Sequence, residues 1–393
     1  MGTNQYEHDM MTSRSHDEVE RQNNIKWFRQ SLLKNLAAGS RELFYRKVKP
    51  EYEEKHSTPL NDYREIRKEM LNHSYMKFQM GFHRVVQELM YETLVPAVEK
   101  QLPELIKKAQ NIDHNSSKLC LDQSLVLPSY VSAVDIHCQP GGFTADHCEG
   151  DVAAGAIYDR SIHMYNSNSA GLTDMAGRTI VDYIDHTFPS HNVERILDMG
   201  CTIGHSTAAF FKRWPDADLQ AIDVGASILR YAHARANALG FKINFSQQSA
   251  EHTNFENGSF DLITSNILAH ETSNKAWPNI IKECHRLLKK GGIMIHAELP
   301  QLNEIDPYRQ FIYTNETYYN NEPFWTKFRT LDLEKIAITA GFKPINIIRD
   351  FSKVKGYRDK KKINAAIKNS RSLSHGAPAG SPLGTAFIIG IKE

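Results

Sequence analysis

The sequence lacks a long apolar stretch. Its 393 residues are 41% hydrophobic and 24% charged, and no run approaches the roughly 18 apolar residues that cross a bilayer. The N-terminus is polar and has no apolar signal core. Gly2 follows the first methionine, but Tyr6 stands where a myristoylation signal requires Ser or Thr. We therefore expect a cytoplasmic protein that does not associate with a membrane.

Cysteine is scarce and net charge is nearly absent. The five cysteines are scattered and odd in number, which does not fit a disulfide framework and predicts free thiols. The formal net charge of +1 gives the whole chain no attraction to nucleic acid. Composition therefore favours an ordinary globular protein and excludes a disulfide-stapled scaffold.

A glycine turn between an apolar run and a helix pattern is the most informative stretch. Residues 193–197 are mostly apolar, as in a buried strand, and the run ends in Asp198. Gly200 and Gly204 follow, and a helix pattern covers residues 206–214. Backbone N–H groups at such a turn can approach a ligand closely. The segment therefore predicts a nucleotide-type site.

The spacing excludes two common nucleotide motifs. The dinucleotide fingerprint G-x-G-x-x-G keeps only its first glycine, Gly200, because Thr202 and His205 occupy the other two positions. The phosphate loop G-x-x-x-x-G-K-[ST] is absent as well. What remains is D-x-G-x-x-x-G, and Asp223 ends the next apolar run 19 residues after Gly204. A carboxylate at that distance can accept hydrogen bonds from both ribose hydroxyls.

With these motifs the sequence resembles the class I S-adenosylmethionine (SAM)-dependent methyltransferases. Three later segments extend the resemblance: a polar stretch after a third strand (246–251), a turn and fourth strand (258–266), and a helix end, glycine turn and fifth strand (285–295). The resemblance implies a Rossmann-like, doubly wound α/β fold with a mostly parallel, seven-stranded sheet. It also implies SAM as the cofactor and methyl transfer as the reaction.

The resemblance implies cofactor contacts at the carboxyl ends of these strands. The expected cofactor-binding residues are Asp198, Gly200, Cys201, Thr202, Gly204, Asp223, Val224, Ser249, Ala250, Asn266 and Tyr158. Two of them depart from the family pattern, because Thr202 replaces a commoner glycine and Ser249 stands where aspartate is more usual. The adenine contact is therefore expected from Ser249, from Glu251 or from backbone amides.

Tyr158 is included because it precedes the core in a Tyr-Asp pair. In many methyltransferases of this class, an aromatic residue on such a segment covers the methionine end of the cofactor. Tyr165 is a second candidate for that role. The alternative is a tyrosine that only packs.

Residues 1–115 are interpreted as a helical domain. Residues 1–20 are polar and are expected to be frayed. Apolar residues recur at three- and four-residue spacing over 25–36 and 66–90, whereas residues 50–59 are charged and bounded by proline and are expected to form a connection. Core packing explains the aromatic and methionine stripe of this region, and a homodimer interface is the sharper alternative.

Residues 116–190 are interpreted as a connecting segment that folds over the active site as a lid. Within it, residues 134–143 predict a strand that runs into a Pro-Gly-Gly turn. Two His-Cys pairs, at 137–138 and 147–148, offer four zinc ligands in principle. Adjacent residues of a strand point in opposite directions, so the sequence predicts no metal site.

Residues 191–393 are interpreted as the SAM-binding core with two insertions. The last two strands, at 344–349 and 385–391, are expected to pair antiparallel. The insertion 300–330 is rich in aromatic residues, which favours a lid over a planar or apolar small molecule or an anchor on the helical domain. The insertion 352–384 is basic, which suits a phosphate-bearing substrate or a solvated loop.

The candidate catalytic residues follow the fourth strand. The SAM methyl group is already activated, so alignment is the main requirement, but a hydroxyl or carbon acid also needs a base. His270 and Glu271, just after Asn266, are the first candidates, and His137 and His147 are held in reserve. The alternative for His270 is a hydrogen-bonded histidine without a catalytic role, and an amine acceptor needs no base.

The sequence predicts a small-molecule acceptor. The proline-rich run that often follows the fourth strand in DNA and protein amine methyltransferases is absent from residues 265–271. We therefore expect methyl transfer to an O, N or C atom of a metabolite, with nucleic acid disfavoured as a partner. Two alternatives remain: an RNA-modifying enzyme that uses the basic residues 353–371, and a non-catalytic partner subunit.

Overall fold

The computed structural model describes residues 7–112, 117–165, 174–352 and 384–393, without the side chain of Tyr165. The basic residues 353–371 therefore lie outside the description. So does the side chain of Tyr165, the second candidate for the role of Tyr158. Within the described residues, no helix is both long enough and apolar enough to cross a membrane.

The core is one twisted sheet whose strands lie in the order β1-β4-β3-β2-β5-β6-β8-β7. All neighbouring pairs are parallel except those that β8 makes with β6 and β7. The strands are β1 (Leu119–Cys120), β2 (Arg195–Met199), β3 (Asp218–Asp223), β4 (Asn244–Gln247), β5 (Phe260–Asn266), β6 (Leu288–Glu298), β7 (Ile347–Phe351) and β8 (Ala386–Ile391).

This arrangement confirms the predicted Rossmann-like fold and corrects the strand number. The sheet has eight strands among the described residues rather than seven. The additional strand arises because Leu119 and Cys120 pair in parallel with Phe245 and Ser246 at the edge of β4. The antiparallel pairing of the last two strands is confirmed.

Helices cover both faces of the sheet and form most of the first 110 residues. They are α1 (His16–Trp27), α2 (Leu33–Leu43), α3 (Lys49–His56), α4 (Tyr63–Met70), α5 (Ser74–Glu99), α6 (Leu102–Gln110), α7 (Ser129–Ser132), α8 (Ala153–Tyr165), α9 (Met175–Thr187), α10 (His205–Arg213), α11 (Ala226–Ala238), α12 (Ala276–Leu287), α13 (Pro307–Thr314), α14 (Glu316–Tyr319), α15 (Trp325–Phe328) and α16 (Leu333–Ala340). Single π-turns, Phe28–Leu32 and Phe44–Val48, join α1 to α2 and α2 to α3. The segment 50–59 is therefore helical as far as His56 and not a connection throughout.

Alternate residues of the strands pack into two apolar cores, one on each face of the sheet. Ile196 and Leu262 pack in one cluster with α9, α10 and α11, whereas Leu197 and Ile263 pack in the other with α12 and α16. This alternation is the period-two pattern of a strand buried on both faces. The helix α5 joins the first cluster through Val86, Met90 and Leu94 and packs on α8, so the N-terminal helices share a core with the sheet.

Residues 134–143 do not form the predicted strand. Ile136–Cys138 is a single 3₁₀ turn in which His137 and Cys138 have φ values of +56° and +60°. The Gln139 side-chain amide donates to the Gly142 carbonyl (2.7 Å), and the Gly142 N–H donates to the Gln139 carbonyl (2.8 Å). These reciprocal bonds close a turn, and a left-handed conformation at two non-glycine residues is not readable from strand propensity.

The segment before α1 is packed from residue 8 onward, which corrects the expectation of a frayed N-terminus. Met10 and Thr12 are buried, and Arg160 donates to the Thr12 hydroxyl at 2.9 Å. Ser15 then begins α1 with a capping box that Glu18 completes. The partners of this segment lie about 150 residues further along the chain, so local composition could not reveal them.

Candidate active site

The glycine turn leads from β2 into α10 along a fixed path. The N–H groups of Gly200 and Cys201 both donate to the Ile222 carbonyl, at 2.8 and 3.0 Å, which ties the turn to the end of β3. Gly200 has φ +69°, and a Cβ there would lie 2.6 Å from the Leu268 side chain. Gly204, at φ +77°, begins α10. The first glycine is thus required by its conformation and by the close approach of the segment after β5.

Two buried carboxylates flank this turn. Asp223 accepts the N–H groups of Thr202 (3.0 Å) and Gly225 (3.1 Å), and Asp198 accepts the Thr207 hydroxyl at 2.5 Å. Burial raises the pKa of Asp198 to about 7, and burial likewise raises the pKa of Asp223 above its usual value. Removing carboxylates from water opposes their ionised form. A cationic ligand, such as a sulfonium, offsets that effect better than an anionic one.

The remaining residues expected at the cofactor lie at the carboxyl ends of β3, β4 and β5. The carbonyl of Val224 accepts the Gln247 side-chain amide at 2.9 Å. Ser249 and Ala250 form the turn after β4 and are partly buried. Asn266 ends β5 and pairs with Ala297 of β6. The sheet topology brings these positions to one edge, where open parallel sheets bind ligands, and their contact with the cofactor stays a prediction.

Tyr158 reaches the glycine turn from α8. Its ring packs edge-on against Phe143, with 5.8 Å between centroids, and lies 6.2 Å from the ring of His205. Burial raises the pKa of the Tyr158 phenol to about 12, although a hydrogen bond with Thr202 opposes this shift; the charges of Glu271, Asp223 and Asp159 raise it further. Phe143 also lies 6.1 Å from the ring of His137, so it connects Tyr158 with the segment that carries His137.

Five ionisable side chains, which we call the His/Glu cluster, meet beside this tyrosine. The cluster comprises His137, His270, Glu271, Glu298 and Glu322. His137 Nε2 lies 3.0 Å from Glu271 Oε1, and His137 Nδ1 lies 3.1 Å from Glu322 Oε1. His270 Nδ1 lies 2.9 Å from Glu298 Oε2. The structure thus brings together the three residues that the sequence suggested for catalysis, two of which are adjacent and the third 133 positions earlier.

Neighbouring segments hold the cluster in place. The Gln87 side chain on α5 donates to the His137 carbonyl at 2.7 Å, so the N-terminal helices position this histidine. Asn320 lies 2.8 Å from His137 Nδ1 and donates to Glu322 at 2.6 Å. The Ala269 N–H donates to Glu298 at 2.6 Å, which fixes the 3₁₀ turn that carries His270 and Glu271.

The cluster perturbs the acidities of its members strongly. Burial acts to lower the pKa of His137, but Glu322 and Glu271 raise it well above the usual value. Burial likewise opposes the charge of His270, yet Glu298, Glu271 and Glu322 raise its pKa to about 9. Burial raises the pKa of Glu322 against the influence of His137. Burial alone would raise the pKa of Glu271, but the charge and hydrogen bond of His137 outweigh burial, so the pKa is lowered. Such opposed shifts within one cluster of buried groups are typical of functional sites.

Glu298 and Glu322 were missed by the sequence reasoning. Glu298 ends β6, and the rule that ligands bind at the carboxyl ends of parallel strands could have identified it. Glu322 lies in the 300–330 insertion and carries no local signal. The reserve candidate His147 is exposed, and its N–H donates to Asp151 at 2.8 Å.

The aromatic insertion packs on the N-terminal helices, as one of the two alternatives predicts, and also contacts the His/Glu cluster. Trp325 packs edge-on against His270, with 4.8 Å between the rings, and so covers the cluster. Tyr308 stacks on Phe44 of the N-terminal region at 4.8 Å, and Phe311 is buried in the same apolar group. The insertion therefore anchors on the helices, and its role as a substrate lid stays a prediction.

All five cysteines are free thiols, as the sequence predicts. Cys201 in the glycine turn and Cys284 on α12 are buried. Burial raises the pKa of the Cys201 thiol well above its usual value. A neutral thiol there contributes packing rather than charge.

Comparison with known proteins finds partial matches. A sequence family described as "Methyltransferase domain" matches residues 196–292. Malonyl-[acyl-carrier protein] O-methyltransferase of Acetivibrio thermocellus is 31% identical over 109 residues, which cover 28% of this chain and 36% of that protein. Ubiquinone biosynthesis O-methyltransferase of Pseudomonas aeruginosa is 31% identical over 100 residues, covering 25% and 41% respectively. The match thus spans little more than a third of these relatives.

Solved structures cover more of the chain, at lower identity. A SAM-dependent methyltransferase from Archaeoglobus fulgidus is 14% identical with a TM-score of 0.39, covering 59% of this chain and 99% of that one. A putative O-methyltransferase from Nostoc punctiforme is 16% identical with a TM-score of 0.40, covering 63% and 64%. At these values the likeness carries no information about the acceptor.

Proposed function

Because residues 196–292 are a class I SAM-dependent methyltransferase domain, we propose that the chain transfers the SAM methyl group to an O, N or C atom of a small molecule bound at the His/Glu cluster. One observation carries this proposal: the ring of Phe143 packs on both Tyr158 and His137, with 5.8 and 6.1 Å between centroids. The expected cofactor site and the ionisable cluster are therefore neighbours. Methyl transfer requires this adjacency, since the nucleophile must meet the sulfonium carbon directly.

The proposed cofactor site uses the residues that the sequence singled out. Asp223 accepts hydrogen bonds from the ribose hydroxyls, and the backbone of residues 200–204 faces the amino-acid part of SAM. Ser249 and Ala250 lie against the adenine, Asn266 against the reacting end, and Tyr158 over the methionine portion. The buried Asp198 adds negative charge near a cofactor that carries a positive sulfonium.

In this proposal, the His/Glu cluster orients the acceptor and accepts its proton. Glu271 and His137 are its partly exposed members, with side-chain exposures of 14% and 23%, so they face the acceptor. When a hydroxyl attacks the methyl group, the O–C bond forms, the C–S bond breaks and the hydroxyl proton passes to the Glu271 carboxylate. His270 is fully buried and acts as a positioning residue through Glu298 and Trp325.

Calorimetric titration with S-adenosylhomocysteine (SAH), the product of SAM, tests the cofactor half first. We expect micromolar binding by the wild type and no measurable binding by Asp223→Ala. Acceptor metabolites are then screened by SAH release, with Glu271→Gln as the variant that keeps cofactor binding and loses turnover. A wild-type chain that fails to bind SAH contradicts the proposal and favours the non-catalytic alternative.

RNA as the acceptor is tested in the same screen. That alternative depends on residues 353–371, which lie outside the described residues. Binding to RNA through phosphate contacts weakens steeply as salt concentration rises. Methylation of RNA, together with such a salt dependence, would replace the small-molecule acceptor.

We also propose that two copies of the chain pair through the N-terminal helices. Phe78 and Trp27 are 58% and 54% exposed, and Val85 is 46% exposed. Phe78 stacks on Phe82 with 5.8 Å between centroids, so the exposed rings form one apolar face on α1 and α5. Light scattering should give a dimer for the wild type and a monomer for Phe78→Ser, whereas a monomeric wild type contradicts the pairing.

A further inference from the structure

Three members of the His/Glu cluster converge on one point. One ligand atom from each of His137, Glu271 and Glu322 lies within 4.8 Å of the other two. Glu322 is almost completely buried, with 1% of its side chain exposed. The three residues come from separate segments of the chain, so the convergence belongs to the tertiary structure and not to a local motif.

A fourth side chain directs one unpartnered nitrogen into the same space. His270 is fully buried, and its Nε2 makes no hydrogen bond; Glu322 Oε2 is unpartnered as well. His270 Nε2 lies 3.7 Å from Glu271 Oε1 and 3.7 Å from Glu322 Oε2. Buried polar atoms of this kind are rare unless a water or an ion satisfies them.

The other nitrogen of this ring is already assigned. His270 Nδ1 lies 2.9 Å from Glu298 Oε2, and a carboxylate at that distance holds the proton on Nδ1. Nε2 then faces Glu271 and Glu322, and a metal ion that binds there displaces the Nε2 proton. In metal-binding histidines, the N–H of the second ring nitrogen usually donates a hydrogen bond to a carboxylate in this way.

The spacing of the donor atoms fits a metal ion. Nitrogen and oxygen ligands lie about 2.0–2.2 Å from zinc, so two ligands of one ion are about 3–3.5 Å apart. His137 Nε2 and Glu271 Oε1 are 3.0 Å apart. The contacts of His270 Nε2, at 3.7 Å, need only a small side-chain adjustment.

We propose that the cluster binds one divalent first-row transition-metal ion through His137, His270, Glu271 and Glu322. Two imidazoles and two carboxylates suit zinc, manganese, iron(II) or cobalt(II). Glu298 supports the site from behind His270. The sequence predicted no metal site because it considered only adjacent His-Cys pairs, whereas this site draws on three distant segments.

The position of the ion gives it a role that rests on the proposed function. His137 and Glu271 are the partly exposed ligands, so an open coordination position faces the acceptor side. An oxygen of the acceptor completes the coordination there, which makes the attached proton more acidic. The matching acceptor class is a small molecule with oxygen donors, such as a hydroxy acid, an oxo acid or a phenol.

Cobalt(II) is the probe for the test, because its visible absorption reports coordination by nitrogen and oxygen ligands. The protein carries no histidine tag and is first dialysed against a chelator. We expect saturation at one equivalent with micromolar affinity or better. Glu322→Gln and His137→Gln should weaken binding by more than about 100-fold, because both remove ligands, whereas Glu149→Gln, at an exposed site in the same lid segment, should not change it.

SAH binding, measured on each variant, separates a lost ligand from a lost fold. Unchanged SAH affinity shows that Glu322→Gln is folded, and weaker cobalt binding then supports the site. If the wild-type protein binds SAH but not cobalt, the metal site is overturned and the proposed function remains. His137 is then a cation between two carboxylates. If the protein binds cobalt but not SAH, the metal site is supported and the proposed function is overturned.

Discussion

The two halves of the candidate active site are built in opposite ways. The cofactor half takes its two carboxylates and its glycine turn from residues 198–223, and backbone hydrogen bonds between adjacent strand ends hold it. The acceptor half takes its side chains from the 3₁₀ turn at 136–138, from the ends of β5 and β6, and from the insertion. In the proposed function, a compact motif therefore binds the cofactor, whereas packing between distant segments selects the acceptor.

If the halves are separate, the largest effect comes from a change at the centre of the cofactor half. Asp223→Ala should weaken SAH binding about 1,000-fold, because it removes a charged acceptor of two hydrogen bonds worth about 1.5–3 kcal/mol each. Calorimetry measures the loss. Cobalt(II) binding at the His/Glu cluster should remain unchanged in the same variant.

Asp218→Ala is the matched control for this variant. Asp218 lies on the same strand, is exposed and pairs with Arg195 at the far end of the sheet. Its removal should leave SAH affinity within about twofold, as is usual for an exposed ion pair. If Asp223→Ala also loses cobalt binding, the cofactor half and the acceptor half are coupled and are not built independently.

Buried charge in the cofactor half predicts a pH dependence of stability. Burial raises the pKa of Asp198 from 3.8 to about 7, so the folded state holds a proton there that the unfolded state releases. The free energy of unfolding should therefore fall as pH rises from about 4 to 7, by up to about 4 kcal/mol. Above the folded pKa, this contribution is lost completely.

Urea unfolding of the wild type and Asp198→Asn at several pH values isolates this contribution. The asparagine keeps an oxygen for the Thr207 hydroxyl, which donates to Asp198 at 2.5 Å, but it does not titrate. The difference between the two stability curves should change between pH 4 and pH 7 and become constant above that range. Parallel curves across the range would assign the slope to other groups.

The contrast between the halves explains how much the sequence could reveal. The motif from Asp198 to Asp223 is contiguous, so its glycine turn and both carboxylates can be identified from residue types and spacing alone. The insertion that carries Glu322 shows only its aromatic content. His137 was placed on a strand because its left-handed backbone has no signature in residue type. Tertiary contacts hold that backbone, as when Gln87 donates to the His137 carbonyl.

The same reason explains the error at the N-terminus. Residues 7–15 look like a polar tail, but His8 Nε2 lies 3.0 Å from Asp159 Oδ2. Burial opposes ionisation of Asp159, yet contacts with His205 and His8 and the charge of Arg235 hold its pKa well below the usual value. The partner lies 151 positions away, so only the folded chain reveals why the segment is ordered.

A change in the acceptor half should leave the cofactor half intact. Glu298→Gln keeps the side-chain volume but replaces the carboxylate that faces His270 Nδ1 at 2.9 Å. Cobalt(II) affinity should fall about 10- to 100-fold, as is typical when the group behind a metal-binding histidine is altered. SAH affinity, measured by calorimetry, should not change.

Glu256→Gln is the control for this variant, since Glu256 is exposed before β5. It should bind both cobalt and SAH as the wild type does. A loss of SAH affinity in Glu298→Gln, at an unchanged melting temperature, would show that the end of β6 also serves the cofactor.

The smallest effect is expected where the halves meet. Tyr158→Phe removes one hydroxyl, which contacts Thr202, but keeps the ring that packs on Phe143 and His205. A single neutral hydrogen bond contributes about 0.5–1.5 kcal/mol, so SAH affinity should fall about 3- to 10-fold. Tyr158→Ala also removes the ring and should weaken SAH binding further, because the methionine end of the cofactor loses its cover. If both variants bind SAH as tightly as the wild type, Tyr158 only packs, and the junction between the two halves must be sought in the residues that follow β5.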